Sequence, residues 1–351
     1  MTSFSSFLRR HNSILNTIRL RRNMSIDGKS KIYITRQIPS EALEKLKDEC
    51  IIAQWKEAES TVPRNELLQN VKGIHGLYCL LTDKIDKEVI GAAGPNLKVI
   101  STMSVGFNHI DLQTCKEQNI RVGYTPDVLT ETTADLTVTL LLTVCRRITE
   151  AVAAVKDGKW GTWSPLWMCG TSLKGSTVGI YGFGRIGIAT ARRLKPFGVK
   201  EIIYSTASGS KPEIDNELGS RYVEFSELLE KSDFLLVTCS LTADSTGIFN
   251  NNAFNQMKKN SILINTSRGE VVEQNDLIDA LRSGKIRAAG LDVTTPEPLP
   301  TDSELLQLNN CIVLPHIGSA TIETRTQMAL LAAENLLSGL KGTEMPGELK
   351  L

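Results

Sequence analysis

Thr177-Val-Gly-Ile-Tyr181-Gly182-Phe-Gly184-Arg-Ile-Gly187-Ile-Ala-Thr-Ala-Arg-Arg-Leu194 decides how this chain is read. Its first five residues are a short, mostly apolar run that predicts a strand, and apolar residues at helical spacing predict a helix over Ile186–Leu194. Between them stands Gly-x-Gly-x-x-Gly. In that setting each glycine has its own task. Gly182 permits the tight turn, Gly184 lets the backbone approach a pyrophosphate, and Gly187 lets the helix lie on the strand, whose neighbouring helix start offers N–H groups to the anion. The stretch predicts a dinucleotide-binding unit; without the strand and the helix around it, the same glycines would be no more than a turn.

The next predicted strand, Ile202–Tyr204, bears on which dinucleotide binds. An acidic residue after it would accept a hydrogen bond from the ribose and repel a 2′-phosphate. Ser205-Thr206-Ala-Ser-Gly-Ser-Lys211 follows instead, offering hydroxyls, a glycine turn and one lysine. NADPH is the expected preference. NADH stays possible, because the arginine usual beside a 2′-phosphate is absent from this loop.

Outward from the motif, short apolar runs alternate with helical patterns on both sides, the sign of parallel βαβ units. The runs before it are Ile32–Thr35, Ile51–Ala53, Gly76–Leu81, Leu97–Ile100 and Ile120–Gly123. Those after it are Phe234–Val237, Ile262–Ile264, Ala289–Val293 and Cys311–Leu314. One long helix is expected over Ala134–Ala154, opening at Thr130 and ending in the Gly- and Trp-rich Gly158–Gly170. A final helix, Glu323–Leu340, has no predicted strand after it and is expected to dock on the first block. The fold class is α/β, with two doubly wound parallel-sheet domains.

Three polar residues fall just after successive predicted strands: Arg268 in Asn-Thr-Ser-Arg-Gly, Glu297 in Thr-Thr-Pro-Glu-Pro, and His316 in Pro-His-Ile-Gly-Ser-Ala. In an open parallel sheet the carboxyl ends of the strands line one crevice, where ligands bind. Arginine suits bidentate capture of a carboxylate, histidine suits proton transfer near neutral pH, and an adjacent carboxylate favours the imidazolium. Singly, the three also read as a surface charge, a turn carboxylate and a strand-end histidine. Together they fit the reduction of a 2-keto acid. His75 and His109 read as structural.

Gly182-Phe-Gly-Arg-Ile-Gly187, Asn265-Thr-Ser-Arg-Gly-Glu-Val-Val, Gly290-Leu-Asp-Val and Leu314-Pro-His-Ile-Gly-Ser-Ala-Thr resemble the D-isomer-specific 2-hydroxyacid dehydrogenases. Ser101-Thr-Met-Ser-Val-Gly, Val122-Gly-Tyr-Thr-Pro-Asp-Val-Leu and Thr294-Thr-Pro-Glu-Pro-Leu-Pro resemble, more narrowly, the animal branch that reduces glyoxylate and hydroxypyruvate. The resemblance runs from about Lys31 to Leu351. It implies a Rossmann-like nucleotide domain (residues 128–321, with a dimerisation helix and loop) inserted into a flavodoxin-like substrate domain (residues 30–127 plus 322–351), and a homodimer. It also implies roles. His316 is the proton donor, Glu297 its partner, and Arg268 the carboxylate-binding and carbonyl-polarising group. Val105 and Gly106 bind the substrate carboxylate through their amides, Leu81 and Ser319 border the substrate, and Trp163 reaches the pocket of the partner subunit. Gly184, Arg185 and Ile186 meet the pyrophosphate, while Ser240, Thr266 and Asp292 contact the cofactor. A phosphoglycerate dehydrogenase-like enzyme and a dinucleotide-sensing corepressor of the same fold remain as alternatives. A formate dehydrogenase fits less well, because that site has glutamine where this chain has Glu297.

Composition agrees with an ordinary globular chain of about two domains: 351 residues, 41% hydrophobic and 23% charged. Forty basic and 39 acidic residues leave a net charge of +1, so no global field recommends nucleic acid or an anionic membrane. The seven cysteines are odd in number and show no zinc-ligand spacing, which points to free thiols and no metal. Residues 1–23 carry five arginines and no acid, with Phe4, Phe7, Leu8, Leu15 and Ile18 at helical spacing. That pattern predicts a mitochondrial targeting segment, with a cytoplasmic form possible from Met24.

Overall fold

The computed structural model describes residues 28–57 and 60–351; the expected targeting segment lies outside the described residues. The chain divides into two compact units, one containing the described residues up to Thr125 together with Thr326–Leu351, the other Pro126–Arg325.

In the first unit, β1 (Ser30–Ile34), β2 (Cys50–Gln54), β3 (Gly76–Cys79), β4 (Val99–Thr102) and β5 (Arg121–Gly123) alternate with α1 (Ser40–Lys47), α2 (Arg64–Asn70), α3 (Lys87–Ala93) and α4 (Leu112–Glu117). All the strand pairs are parallel, in the order β2-β1-β3-β4-β5. Every residue of β3 and β4 is buried, as expected of strands covered on both faces. Two of these helices, α3 and α4, begin at side-chain caps: Asp86 accepts from the Val89 amide at 3.2 Å and Asp111 from the Thr114 amide at 2.9 Å.

The second unit opens with α5 (Thr130–Cys145) and α6 (Ile148–Lys156). It continues through β6 (Thr177–Tyr181), α7 (Arg185–Leu194), β7 (Glu201–Ser205), α8 (Pro212–Leu218), β8 (Ser220–Tyr222), α9 (Phe225–Lys231) and β9 (Phe234–Val237). Next come α10 (Asn251–Gln256), β10 (Ile262–Asn265), α11 (Gln274–Arg282), β11 (Ala288–Leu291) and β12 (Cys311–Val313). Its seven-stranded parallel sheet runs β12-β11-β10-β9-β6-β7-β8. The strand order reverses between β6 and β9, the place where such sheets hold ligands at their carboxyl edge.

Two expectations need correction. The single helix predicted over Ala134–Ala154 is two, because Arg147 adopts a left-handed conformation, φ 54°, between α5 and α6. A continuous helix would have the Cys145 carbonyl accept from the Thr149 amide. Here it accepts instead from Thr171 at 2.9 Å, and the returning chain lies so close that a Cβ on Gly170 would meet that oxygen at 2.1 Å. Strand β8 was not expected from the sequence. It has three residues and pairs on one side only, so periodicity had almost nothing to register.

The last helix, α12 (Ile322–Lys341), docks back on the first unit, as expected. The Tyr78 hydroxyl donates to the Ala329 carbonyl at 3.2 Å and Ser101 to the Ala332 carbonyl at 2.7 Å. Gly123 pairs antiparallel with Glu348, whose carboxylate takes two 2.6 Å hydrogen bonds from the Arg121 guanidinium. Fully buried Asn335 joins helix, strand and tail. Its Nδ2 donates to the Tyr124 carbonyl and its Oδ1 accepts from the Gly347 amide, both at 2.8 Å. Replacing it with leucine strands both backbone groups. Asn335→Leu should destabilise the fold by roughly 2–4 kcal/mol, read as a lower denaturant midpoint at unchanged m value.

Candidate active site

The glycine turn has the three predicted features. Gly182 has φ +94°, and a Cβ there would meet backbone atoms of Cys239 at 2.4 Å. A Cβ on Gly187 would meet the Gly182 carbonyl at 2.4 Å, so only glycine lets α7 lie this close to the turn. On Gly184 a Cβ would meet nothing within 4 Å. Gly184 is the N-cap of α7, with no side chain bonded to the helix's first amides. An open approach to an uncapped helix start suits a pyrophosphate. Phe183 stacks on Tyr204 at 3.9 Å, which fixes the turn against the end of β7. Arg185 pairs with Asp127 at 2.6 Å.

Beyond β7, the Ser205 carbonyl accepts from the Gly182 amide at 2.8 Å. The following loop folds back on itself: Gly209 donates to the Thr206 carbonyl at 3.1 Å and the Lys211 amide donates to the Tyr204 hydroxyl at 2.7 Å. No carboxylate stands at residues 205–211.

Arg268, Glu297 and His316 all follow strands at the carboxyl edge of the second sheet. Gly269 lies so close to Thr294 that a Cβ would meet its carbonyl at 2.0 Å, so the Arg268 loop and the Glu297 loop are packed against each other. Thr294 donates its amide to Glu297 Oε1 at 3.0 Å, and His316 Nδ1 lies 2.9 Å from Glu297 Oε2. Burial pushes the Glu297 carboxyl up. The hydrogen bond and charge of His316, the Thr294 amide and the Arg268 cation outweigh it and hold the group below its ordinary value. Arg268 donates Nη1 to the Ser267 carbonyl at 2.6 Å, and its burial lowers its pKa against the pull of Glu297 and Glu270.

His316 itself is in the left-handed region, φ 55°. Asp292 imposes that geometry. Its carbonyl accepts from the His316 amide at 2.9 Å, and its carboxylate takes the Ile317 and Gly318 amides at 2.8 Å each. Burial raises the Asp292 pKa despite those two bonds and the nearby His316. Arg325 was not singled out from the sequence. Half-buried, it donates Nε to the Ser319 carbonyl at 3.3 Å and sets a positive charge near Asp292. A lone arginine in the first turns of a helix carries no motif, and so gave no signal.

The remaining candidates differ in surroundings. The Thr137 hydroxyl donates to the Thr133 carbonyl at 2.8 Å, so the Thr266 hydroxyl, 2.8 Å from it, must be the donor in that pair and is turned toward α5. Ser240 is exposed, and its carbonyl accepts from Ser245 at 2.9 Å. Ser319 is buried. Leu81 follows β3, and Val105 and Gly106 follow β4, at the carboxyl edge of the other sheet. Trp163 is 81% exposed. Among the described residues no cluster of His, Cys, Asp or Glu would hold a metal ion, and no helix is long and apolar enough to cross a membrane.

The family model described as the NAD binding domain of D-isomer specific 2-hydroxyacid dehydrogenase matches residues 138–318. The chain is 56% identical over 324 residues to the glyoxylate reductase/hydroxypyruvate reductase of Homo sapiens, covering 92% of this chain and 98% of that one. The chain belongs to the D-isomer-specific 2-hydroxyacid dehydrogenase family. The glyoxylate reductase of Thermococcus litoralis is 46% identical over 325 residues, 92% of this chain and 96% of its own. Among solved structures, the NADPH-dependent glyoxylate/hydroxypyruvate reductase of Sinorhizobium meliloti, in complex with NADP and malonate, is similar with a TM-score of 0.79 and 30% identity, over 92% and 97% of the two chains. As a D-isomer-specific 2-hydroxyacid dehydrogenase, the protein is an oxidoreductase that uses a nicotinamide dinucleotide, and the glycine turn fits that cofactor's pyrophosphate.

Two neighbouring substitutions separate packing from cofactor binding. Gly187→Ala should destabilise the protein by roughly 1–3 kcal/mol, because the methyl group collides with the Gly182 carbonyl. Gly184→Ala should melt with the parent protein yet bind dinucleotide more weakly, as followed by thermal unfolding and fluorescence titration. Equal melting of the two variants would contradict the assignment.

Proposed function

We propose that the protein reduces hydroxypyruvate to D-glycerate and glyoxylate to glycolate, with NADPH as the preferred reductant. The observation that carries this reading is the His316–Glu297 pair, set beside Arg268 at the carboxyl edge of the nucleotide-binding sheet. The activities for which its relatives are named support the two substrates. When bound, the reduced nicotinamide supplies the hydride that adds to C2 of the keto acid.

This chain's own residues supply the rest. With Nδ1 turned to the Glu297 carboxylate, His316 keeps Nε2 for the substrate and delivers a proton from it to the developing alkoxide. Arg268 is a fixed cation suited to the substrate carboxylate and the carbonyl oxygen. The amides of Val105 and Gly106 hold the carboxylate. Arg185, Ile186 and the glycines of the turn take the pyrophosphate. The absence of an acid from Ser205–Lys211, together with Lys211 itself, favours the 2′-phosphate.

The active form we propose is a homodimer. Ile148 and Val152 on α6 are exposed, as are Trp163 and Leu166 of the following loop at 81% and 85%, large apolar side chains that a second copy would cover. Sedimentation equilibrium should give twice the chain mass, and Trp163→Asp should shift it toward monomer. A parent protein that sediments as a monomer overturns the assembly.

Oxidation of NADPH by the full chain, with hydroxypyruvate or glyoxylate present, tests the activity. Turnover should be rapid, slower with NADH, and reduced roughly a thousandfold in His316→Ala with dinucleotide affinity retained. Equal loss of turnover and of cofactor affinity would remove His316 from the proton-transfer role.

A further inference from the structure

The sequence gives His109 no chemical task, and the structure places it at the head of a hydrogen-bonded chain. His109 Nε2 lies 2.9 Å from Thr102 Oγ1, which lies 2.8 Å from Ser104 Oγ, which donates to the Gly106 carbonyl at 2.6 Å. Proton counting fixes the direction. A hydroxyl has one proton, and that of Ser104 goes to the carbonyl, which has none to give. Thr102 must therefore donate to Ser104, and His109 must donate through Nε2–H to Thr102.

Thr102 and Ser104 are buried, so the bond between them is formed away from competing water, while the bonds at the two ends of the chain are part-buried. The two ends of the loop are anchored separately. The Ser104 carbonyl accepts from the Thr125 amide at 2.9 Å, and the His109 carbonyl accepts from the Ile85 amide at 2.9 Å. Between these anchors lie Val105 and Gly106. The Gly106 carbonyl belongs to the Gly106–Phe107 peptide, which closes the turn after the two amides, and the chain from His109 ties it to the buried Thr102 and Ser104.

We infer that His109 is a positioning residue for substrate carboxylate binding: through Thr102 and Ser104 it ties down the Gly106 carbonyl, and so holds the end of the turn whose Val105 and Gly106 amides receive the keto acid. This rests on the reading of the Val105 and Gly106 amides as the carboxylate site. The action is on substrate affinity, because the chain ends on the loop that bears the two amides.

Steady-state kinetics of the full-length enzyme test it. His109→Phe keeps the ring and removes the donor, and Ser104→Ala cuts the chain at its other end. Each should raise KM for glyoxylate and for hydroxypyruvate roughly five- to twentyfold, with kcat and the KM for NADPH little changed. The double variant should be no worse than the poorer single one, because both break one chain. His109→Gln, which returns an N–H near the place of Nε2, should recover most of the affinity. If His109→Phe leaves KM unchanged while Ser104→Ala raises it, or if the two effects multiply, the chain from His109 is not what holds the loop. The underlying site reading has a separate control. The parent enzyme should strongly prefer glyoxylate to methylglyoxal, a ketoaldehyde with no carboxylate. Equal use of both would remove the carboxylate site itself, whatever the His109 variants do.

Discussion

A buried carboxylate organises the chemical edge of the larger unit. Asp292 is 1% exposed, and burying a charge this deeply is unfavourable unless hydrogen bonds and opposite charge offset it. The Ile317 and Gly318 amides provide the bonds, and Arg325 and His316 provide positive charge nearby. The result is a loop that cannot relax. With Ile317 and Gly318 held by the carboxylate and the His316 amide by the Asp292 carbonyl, the histidine is kept in a left-handed conformation that few non-glycine residues adopt. Its ring is thereby brought to Glu297, and Glu297 is in turn fixed by the Thr294 amide in a loop packed on Gly269. Arg268, the residue before that glycine, is placed by the same contact.

The cofactor end of the sheet is built by a different constraint, the exclusion of side chains. Gly182 and Gly187 are required by contacts of 2.4 Å, whereas Gly184 faces open space. Phe183, the residue between the first two glycines, is stacked on Tyr204, whose hydroxyl receives the Lys211 amide. One aromatic pair therefore ties the glycine turn to the loop that follows β7.

What was legible in the sequence had strong local signals. The glycine turn, the alternation that gave the parallel sheets, and the Arg268, Glu297 and His316 positions all follow from spacing along the chain. What was not legible depends on partners far away in sequence. The break at Arg147 is caused by Thr171 taking the Cys145 carbonyl, and nothing in Ala134–Ala154 announces it. Strand β8 is too short to show periodicity. Arg325 matters only because Asp292 folds beside it, and His109 looked structural because its connection to Gly106 runs through two hydroxyls that belong to no motif.

The discontinuity of the first unit also sets an order of events during synthesis. Pro126–Arg325 is one continuous stretch, so all of its internal contacts are available once it has been made. The first unit has no such freedom. Tyr78 waits for a carbonyl 251 residues later, Arg121 for Glu348, and the Asn335 side chain for Gly347. The nucleotide-binding unit is therefore able to form on the ribosome while the strands made before it remain without their final helix. During that interval β5 has an unpaired edge beside the place its C-terminal partner will occupy, which makes this the stage of biogenesis most open to chaperone capture or mispairing.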